Sequence, residues 1–213
     1  MDKNIERARE LLPAILITVL SMIQALALEI YWTKAGDSVF LWQGGWEAVI
    51  GWLQMLAAFM GILLIWLLYV STVLRFTWLP TLEDTIVPFF IGLCEFALID
   101  MLGPESLGVW FMILAATFAV SIIANHMVMR RARQDPANAY FFDEMAPARW
   151  RDHVRSFIVV AILVVCGALL GLSDSNPVLS VVALLLALVV LAQQFWQCHR
   201  FWMHSMELLE QKS

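Results

Sequence analysis

Six stretches of the chain are almost entirely apolar, and polar links separate them. A helix that crosses a bilayer needs about 20 mostly apolar residues, because each residue adds about 1.5 Å along the helix axis. Five of the stretches reach this length, and the fifth in chain order is the shortest. The pattern predicts spanning helices at residues 11–32, 46–74, 79–102, 107–129, 154–172 and 178–202.

The links between these stretches pair the helices. Residues 103–106 and 173–177 form short turns that contain proline, whereas 130–153 is a longer polar loop. Short connections join antiparallel neighbours. We therefore expect one all-α integral membrane domain, residues 1–213, in which six transmembrane helices form three hairpins.

The composition indicates that lipid is the solvent for much of the chain. Hydrophobic residues make up 62% and charged residues 15%, and the mean hydropathy is +0.78. A soluble domain has about 45–50% apolar and about 25% charged residues. The formal net charge of −5 also argues against nucleic acid as a partner.

The basic residues predict how the helices are oriented. Of the 13 Lys and Arg residues, all except Lys34 fall on the side of the two termini and the loop 130–153. Because positive charge stays cytoplasmic, both termini are expected inside a bacterial inner (plasma) membrane, with 130–153 as a cytoplasmic loop. An odd number of spanning helices breaks this asymmetry.

Two of the acidic residues in the third apolar stretch are candidates for function, because a charge within a membrane is costly and indicates function by default. Glu95 lies deep in this stretch, and Asp84 precedes it by three helical turns on the same face. Pro88 lies between them and interrupts the helical hydrogen bonding. This line is either a polar path for an ion or a structural feature in which Glu95 is protonated or bonded to a neighbouring helix.

The first two helices each carry a line of small and polar residues. Thr18, Ser21 and Glu29 share one face of the first helix with Gln24 beside it, and Glu47 begins a similar line on the second. Such faces serve helix packing, or they line the axis of an oligomeric pore. The predicted outer side is rich in acids, and carboxylates at a pore mouth concentrate cations.

Other polar and small residues indicate packing. Gly167 and Gly171 form a GxxxG pattern, which favours close helix contact. Thr117, Ser121 and Asn125 form a four-residue ladder on the fourth helix, and we assign it to packing as well.

The cytoplasmic loop contains three consecutive aromatic residues, Tyr140, Phe141 and Phe142. One interpretation is a short helix in the membrane interface with its aromatic rings among the headgroups. The other is a docking surface for a cytosolic protein within the segment 130–155.

The sequence contains no pattern typical of an enzyme, metal or cofactor site. No Ser-His-Asp order or Gly-rich phosphate loop is present, and the cysteines lie singly in apolar runs. The four histidines lie at the predicted cytoplasmic edge, and we expect no pair that faces across helices as a haem requires. We expect neither catalysis nor a cofactor.

In architecture the chain resembles the small prokaryotic potassium channels related to the lysosomal potassium channel. Those channels have six helices, and their first helix ends in a stretch similar to Leu28-Glu29-Ile30. The family's Phe-Ser-Asp-Gly signature is absent, since this chain reads Leu16-Ile17-Thr18 there. The resemblance therefore implies only an arrangement of helices, with an oligomer assembled around the first helix. It does not imply potassium selectivity.

These observations lead to two hypotheses of function. The first is a homo-oligomeric, cation-permeable channel with the first helix at its axis. The alternative is a non-enzymatic membrane subunit that senses or anchors for cytosolic partners in a bacterial defence or signalling system. The loop with Tyr140, Phe141 and Phe142 discriminates between the two hypotheses. A channel should tolerate alanine at these positions, whereas a coupling subunit should lose its partner.

Overall fold

Six long helices make up most of the computed structural model, which describes residues 3–78, 81–139, 141–142, 153–173 and 176–210. In chain order they are α1 Lys3–Asp37, α2 Gly45–Arg75, α3 Leu82–Asp100, α4 Leu107–Ala132, α5 Val154–Leu172 and α6 Pro177–Glu210. Single 3-10 turns occur at Val39–Leu41, Pro104–Ser106 and Pro136–Asn138. These ranges contain no β-strand, so the predicted all-α class is confirmed.

A helix occupies each of the six predicted apolar stretches, although most bounds differ from the predicted ones. Only α5 begins and ends at the predicted residues. Both α1 and α6 continue well into polar sequence. Glu, Arg, Lys and Gln are good helix formers, so a helix does not end where its apolar stretch ends.

Among the described residues, five helical segments are long and apolar enough to cross a membrane, as in a multi-pass membrane protein. Helix α3 is not among them. It has the same length as α5, 19 residues, but every 18-residue stretch of it contains at least three acidic residues. The qualifying segments are Leu11–Asp37, Gly45–Arg75, Pro104–Ala132, Val154–Leu172 and Pro177–Met203.

Neighbouring helices pack in the order α6, α2, α1, α3, α4, α5, and only a weak contact between α5 and α6 closes this series into a ring. The hairpin partners α5 and α6 contact each other little, because α5 packs mainly on α4 and α6 mainly on α2. Helices α2 and α3 also contact each other little, which leaves space between them. The largest core cluster joins α2, α4, α5 and α6.

Helices α4 and α5 approach each other closely at glycines. A Cβ added to Gly108 on α4 lies only 2.9 Å from the backbone nitrogen of Gly171, and one added to Gly167 lies 2.9 Å from the carbonyl oxygen of Gly108. Real Cβ atoms essentially never approach a neighbour so closely. The GxxxG pair on α5 therefore packs against Gly108, a partner that its spacing alone did not identify.

Two aromatic residues considered for partner docking, Phe141 and Phe142, lie in the interior. Phe141 and Phe142 have only 2% and 8% of their surface exposed. The ring of Phe141 contacts the rings of Phe76 and Phe201, and Phe142 stacks on Phe76 at 5.4 Å. Their apolar surface closes one end of the helix bundle. Tyr140 lies outside the described residues.

Candidate functional site

Glu95 is the most deeply buried acidic side chain of the described residues, with 2% of its surface exposed. It lies on α3, and its two oxygens accept hydrogen bonds from the side-chain nitrogen of Gln24 on α1, at 3.0 and 2.9 Å. No basic side chain in the described part of the chain forms an ion pair with Glu95. A buried carboxyl group thus has a polar partner but no countercharge.

Gln24 is itself buried, with 4% exposure. Its side-chain oxygen has no hydrogen-bond partner among the described residues. The oxygen and nitrogen of an amide are assigned from their hydrogen bonds. With Glu95 ionised, the amide NH₂ faces the carboxylate; with Glu95 protonated, a turned amide accepts from its hydroxyl. The pair therefore accommodates either state of the acid.

Glu95 lines a cavity of about 200 Å³ that lies mainly between α2, α3 and α4. Ile91 lines it one turn below Glu95 on α3, and Asp84 lies at the far end. On α4 the ladder Thr117, Ser121 and Asn125 faces the same space. The polar line predicted along α3 thus borders a cavity, together with the α4 ladder that the sequence analysis assigned to packing.

Asp84 closes the other end of the cavity as part of a hydrogen-bonded cluster. One carboxylate oxygen lies 2.5 Å from the guanidinium of Arg131 on α4. The other accepts from the indole of Trp78 at 3.1 Å and from the backbone nitrogen of Thr81 at 2.9 Å. Arg131 also donates to the Thr81 hydroxyl and to Glu83. Asp84 is thus neutralised and caps the N-terminus of α3.

The proline of α3 has a specific partner on α2. Pro88 has no backbone N–H, so the carbonyl of Asp84, four residues earlier, lacks its helical donor. The hydroxyl of Tyr69 donates to that carbonyl at 3.1 Å. The sequence did not indicate Tyr69 or Arg131, since their partners lie far away along the chain.

The remaining pore candidates lie apart from this site. Thr18 and Glu29 are exposed on α1, and Glu47 is exposed in the first turn of α2. Thr18 donates to the backbone of its own helix at 2.7 Å. Ser21 is half-buried and accepts from the indole of Trp66 at 3.4 Å. Of the candidates on α1, only Gln24 meets Glu95.

Two histidines meet at the end of the bundle where Asp84 lies. The rings of His126 and His153 are nearly perpendicular, with centroids 5.3 Å apart. The sequence analysis did not predict this contact. Over the residues that the structure describes, no group of three or more His, Cys, Asp and Glu side chains is placed to hold a metal ion.

No protein-family model matches the chain, and no curated protein or solved structure matches it significantly.

Proposed function

We propose that this chain is a six-span protein of a bacterial inner membrane that lets a cation cross the membrane beside Glu95. The observation that carries the proposal is a buried acidic residue that lines a cavity and has no basic partner among the described residues. An acidic group at this depth costs free energy, and it attracts a cation that enters the cavity.

The sixth span is α3. Its acidic residues Glu83, Asp84 and Asp100 lie in the first and last turns, and only Glu95 lies within the helix. Asp84 is neutralised by Arg131. Helix α3 also packs between α1 and α4, both of which qualify as spanning helices.

Both termini are cytoplasmic in this proposal, because all basic residues except Lys34 fall on that side. Lys34 bonds to Asp100 at one end of the bundle. Arg131 and Arg75 lie at the opposite end, where Arg75 donates to the carbonyl of Phe201 near the end of α6. The two ends therefore differ in charge as the orientation requires.

The proposal is tested by cation flux into vesicles that contain the purified protein. Glu95→Gln keeps the size of the side chain and removes its ability to carry a charge. It should lower flux at least about tenfold. The control is Glu105→Gln in the exposed turn before α4, which should conduct like the original chain. Equal flux in all three proteins, with unchanged assembly, contradicts the proposal.

A second candidate is a homo-oligomeric pore with α1 at its axis. It is favoured by one observation: Thr18, Ala25 and Glu29 are exposed on α1, whereas Leu16, Leu20 and Ala27 are buried. An exposed stripe with polar members is available to face an axis in an oligomer.

Cysteine labelling separates the two paths, after Cys94, Cys166 and Cys198 have been replaced. With an axial pore, cysteines at 18, 25 and 29 react with a membrane-impermeant thiol reagent from outside, and less with depth. With a path inside the protomer, cysteines at 117 and 121 react instead.

The partner-coupling alternative needs a surface other than Phe141 and Phe142, because both are buried.

A further inference from the structure

Hydrocarbon and aromatic groups form most of the wall of the cavity beside Glu95. Ile91, Leu98 and Leu114 line it, and so do the aromatic residues Phe118 and Tyr69. An inorganic cation that enters such a space loses its hydration water and needs several oxygen ligands in exchange. The wall therefore does not suit a bare metal ion.

Of the side-chain oxygens in the cavity wall, those of the acids are mostly engaged, and the others belong to neutral groups. Both oxygens of Asp84 accept hydrogen bonds, and Arg131 neutralises its charge. The hydroxyls of Thr117 and Ser121 donate to carbonyls of their own helix, both at 2.8 Å. Among the described residues that line the cavity, Glu95 alone is an acid without a basic partner. One free carboxylate leaves most of the charge of a divalent ion such as calcium or magnesium uncompensated in this largely apolar space, whereas it matches the single charge of an ammonium ion.

An organic ammonium ion fits the same wall. Its charge is spread over alkyl groups, it is weakly hydrated, and the faces of aromatic rings attract it. A single carboxylate is sufficient as its counter-ion. A cavity of about 150 Å³ holds benzene, so one of about 200 Å³ suits a compact ligand of similar or slightly larger size.

We propose that the cavity between α2, α3 and α4 binds a compact organic ammonium cation, with Glu95 as its counter-ion. The inference rests on the proposed function, since it names the class of cation that function moves. Two kinds of ligand carry such an ammonium group: a free amine or quaternary ammonium solute, and a lipid with a choline headgroup.

The test measures equilibrium binding to the purified full chain in phosphatidylglycerol nanodiscs. The probe is benzyltrimethylammonium, and its neutral isostere is neopentylbenzene. The original chain should bind the cation at least about tenfold more tightly than the isostere. Glu95→Gln should remove that preference, and Glu105→Gln should retain it. Equal affinity for both probes, or unchanged preference in Glu95→Gln, overturns the inference.

A second variant keeps the test decisive if Glu95→Gln fails to fold. Gly61 lines the cavity on α2, and a Cβ added to it meets no atom within 4 Å. The side chain of Gly61→Leu should therefore occupy the cavity and weaken binding of the probe at least about tenfold. Gly36→Leu is the matched control, because a Cβ there also meets nothing within 4 Å and Gly36 does not line the cavity. Unchanged binding in folded Gly61→Leu overturns the site.

Further arms identify the source and separate this inference from the proposed function. Displacement of the probe by phosphatidylcholine in the nanodisc assigns the site to a lipid headgroup, and persistence of the probe assigns it to a free solute. If potassium or sodium flux depends on Glu95 while the probe does not bind, this inference fails and the proposed function stands. If the probe binds but no cation flux is seen, the binding site stands and the proposed transport function fails.

Discussion

One nitrogen of Gln24 donates to both carboxyl oxygens of Glu95, and the two residues are 71 positions apart in the sequence. This contact joins α1 to α3 inside an apolar environment, where a hydrogen bond is electrostatically strong and an unsatisfied group is costly. It also holds Glu95 in a fixed position beside the cavity.

Gln24→Leu removes the polar partner of Glu95 and leaves the acid buried. We expect unfolding in mixed micelles to show a loss of about 1–3 kcal/mol, the cost of an unsatisfied buried group. Gln24→Leu combined with Glu95→Leu should recover part of this loss, since neither polar group then remains. Gln43→Leu, in the exposed link before α2, is the control and should be near neutral. A double variant whose losses simply add argues against the pairing.

Arg131→Ala leaves Asp84 buried without its countercharge. Because the carboxylate of Asp84 is almost fully buried, we expect a loss of about 3–5 kcal/mol in unfolding free energy. Asp84→Asn should cost less, since an amide oxygen still accepts from Trp78 and Thr81. Arg130→Ala, one residue away and exposed, should stay within about 0.5 kcal/mol of the original chain.

The two glycines of the GxxxG pattern on α5 should respond oppositely to alanine. Gly167→Ala places a methyl group 2.9 Å from the backbone of Gly108, so the helices must separate, at about 1–3 kcal/mol. Gly171→Ala meets no atom within 4 Å and should be neutral or stabilising by up to about 1 kcal/mol. Thermal unfolding in detergent measures both, and equal losses in the two variants contradict the close contact.

Reporter fusions test whether α3 spans the membrane. Fusions after residues 36 and 105 should be extracytoplasmic, and fusions after residues 77, 140 and 213 should be cytoplasmic. If the fusions after 77 and 105 report the same side, α3 does not cross. A fusion after 175 should be extracytoplasmic and serves as a control for the α5–α6 hairpin.

Local properties of the fold followed from the sequence. The apolar stretches located all six helices, since burial in lipid requires long apolar runs. The bounds of α5 matched, although its first turn contains the polar residues Arg155 and Ser156. The bounds of α1 did not, because a helix continues through Glu6, Arg7 and Lys34 as readily as through leucine.

The contacts of the site did not follow from the sequence, because periodicity shows which residues share a face but not which face meets which. Gln24 was placed beside a stripe that serves either helix packing or a pore axis, and the structure buries it against Glu95. Thr117 and Ser121 had no identifiable partner until α3 was placed next to α4. Phe141 was assigned to the membrane interface or to a docking surface, although its ring packs on three others.

Two hydrogen bonds determine how far apart α2 and its neighbours can move. Tyr69 bonds to the carbonyl of Asp84 at one end, and the side-chain oxygen of Gln54 accepts from the backbone nitrogen of Gly103 at the other, at 3.0 Å. These residues of α2 lie 15 positions, or about 22 Å, apart, with the cavity between them. Because α2 is hydrogen-bonded near both ends of the cavity, these two bonds limit how far α2 can separate from α3. The free width of the cavity then depends on the side chains that project into it, and at Gly61 no side chain does so.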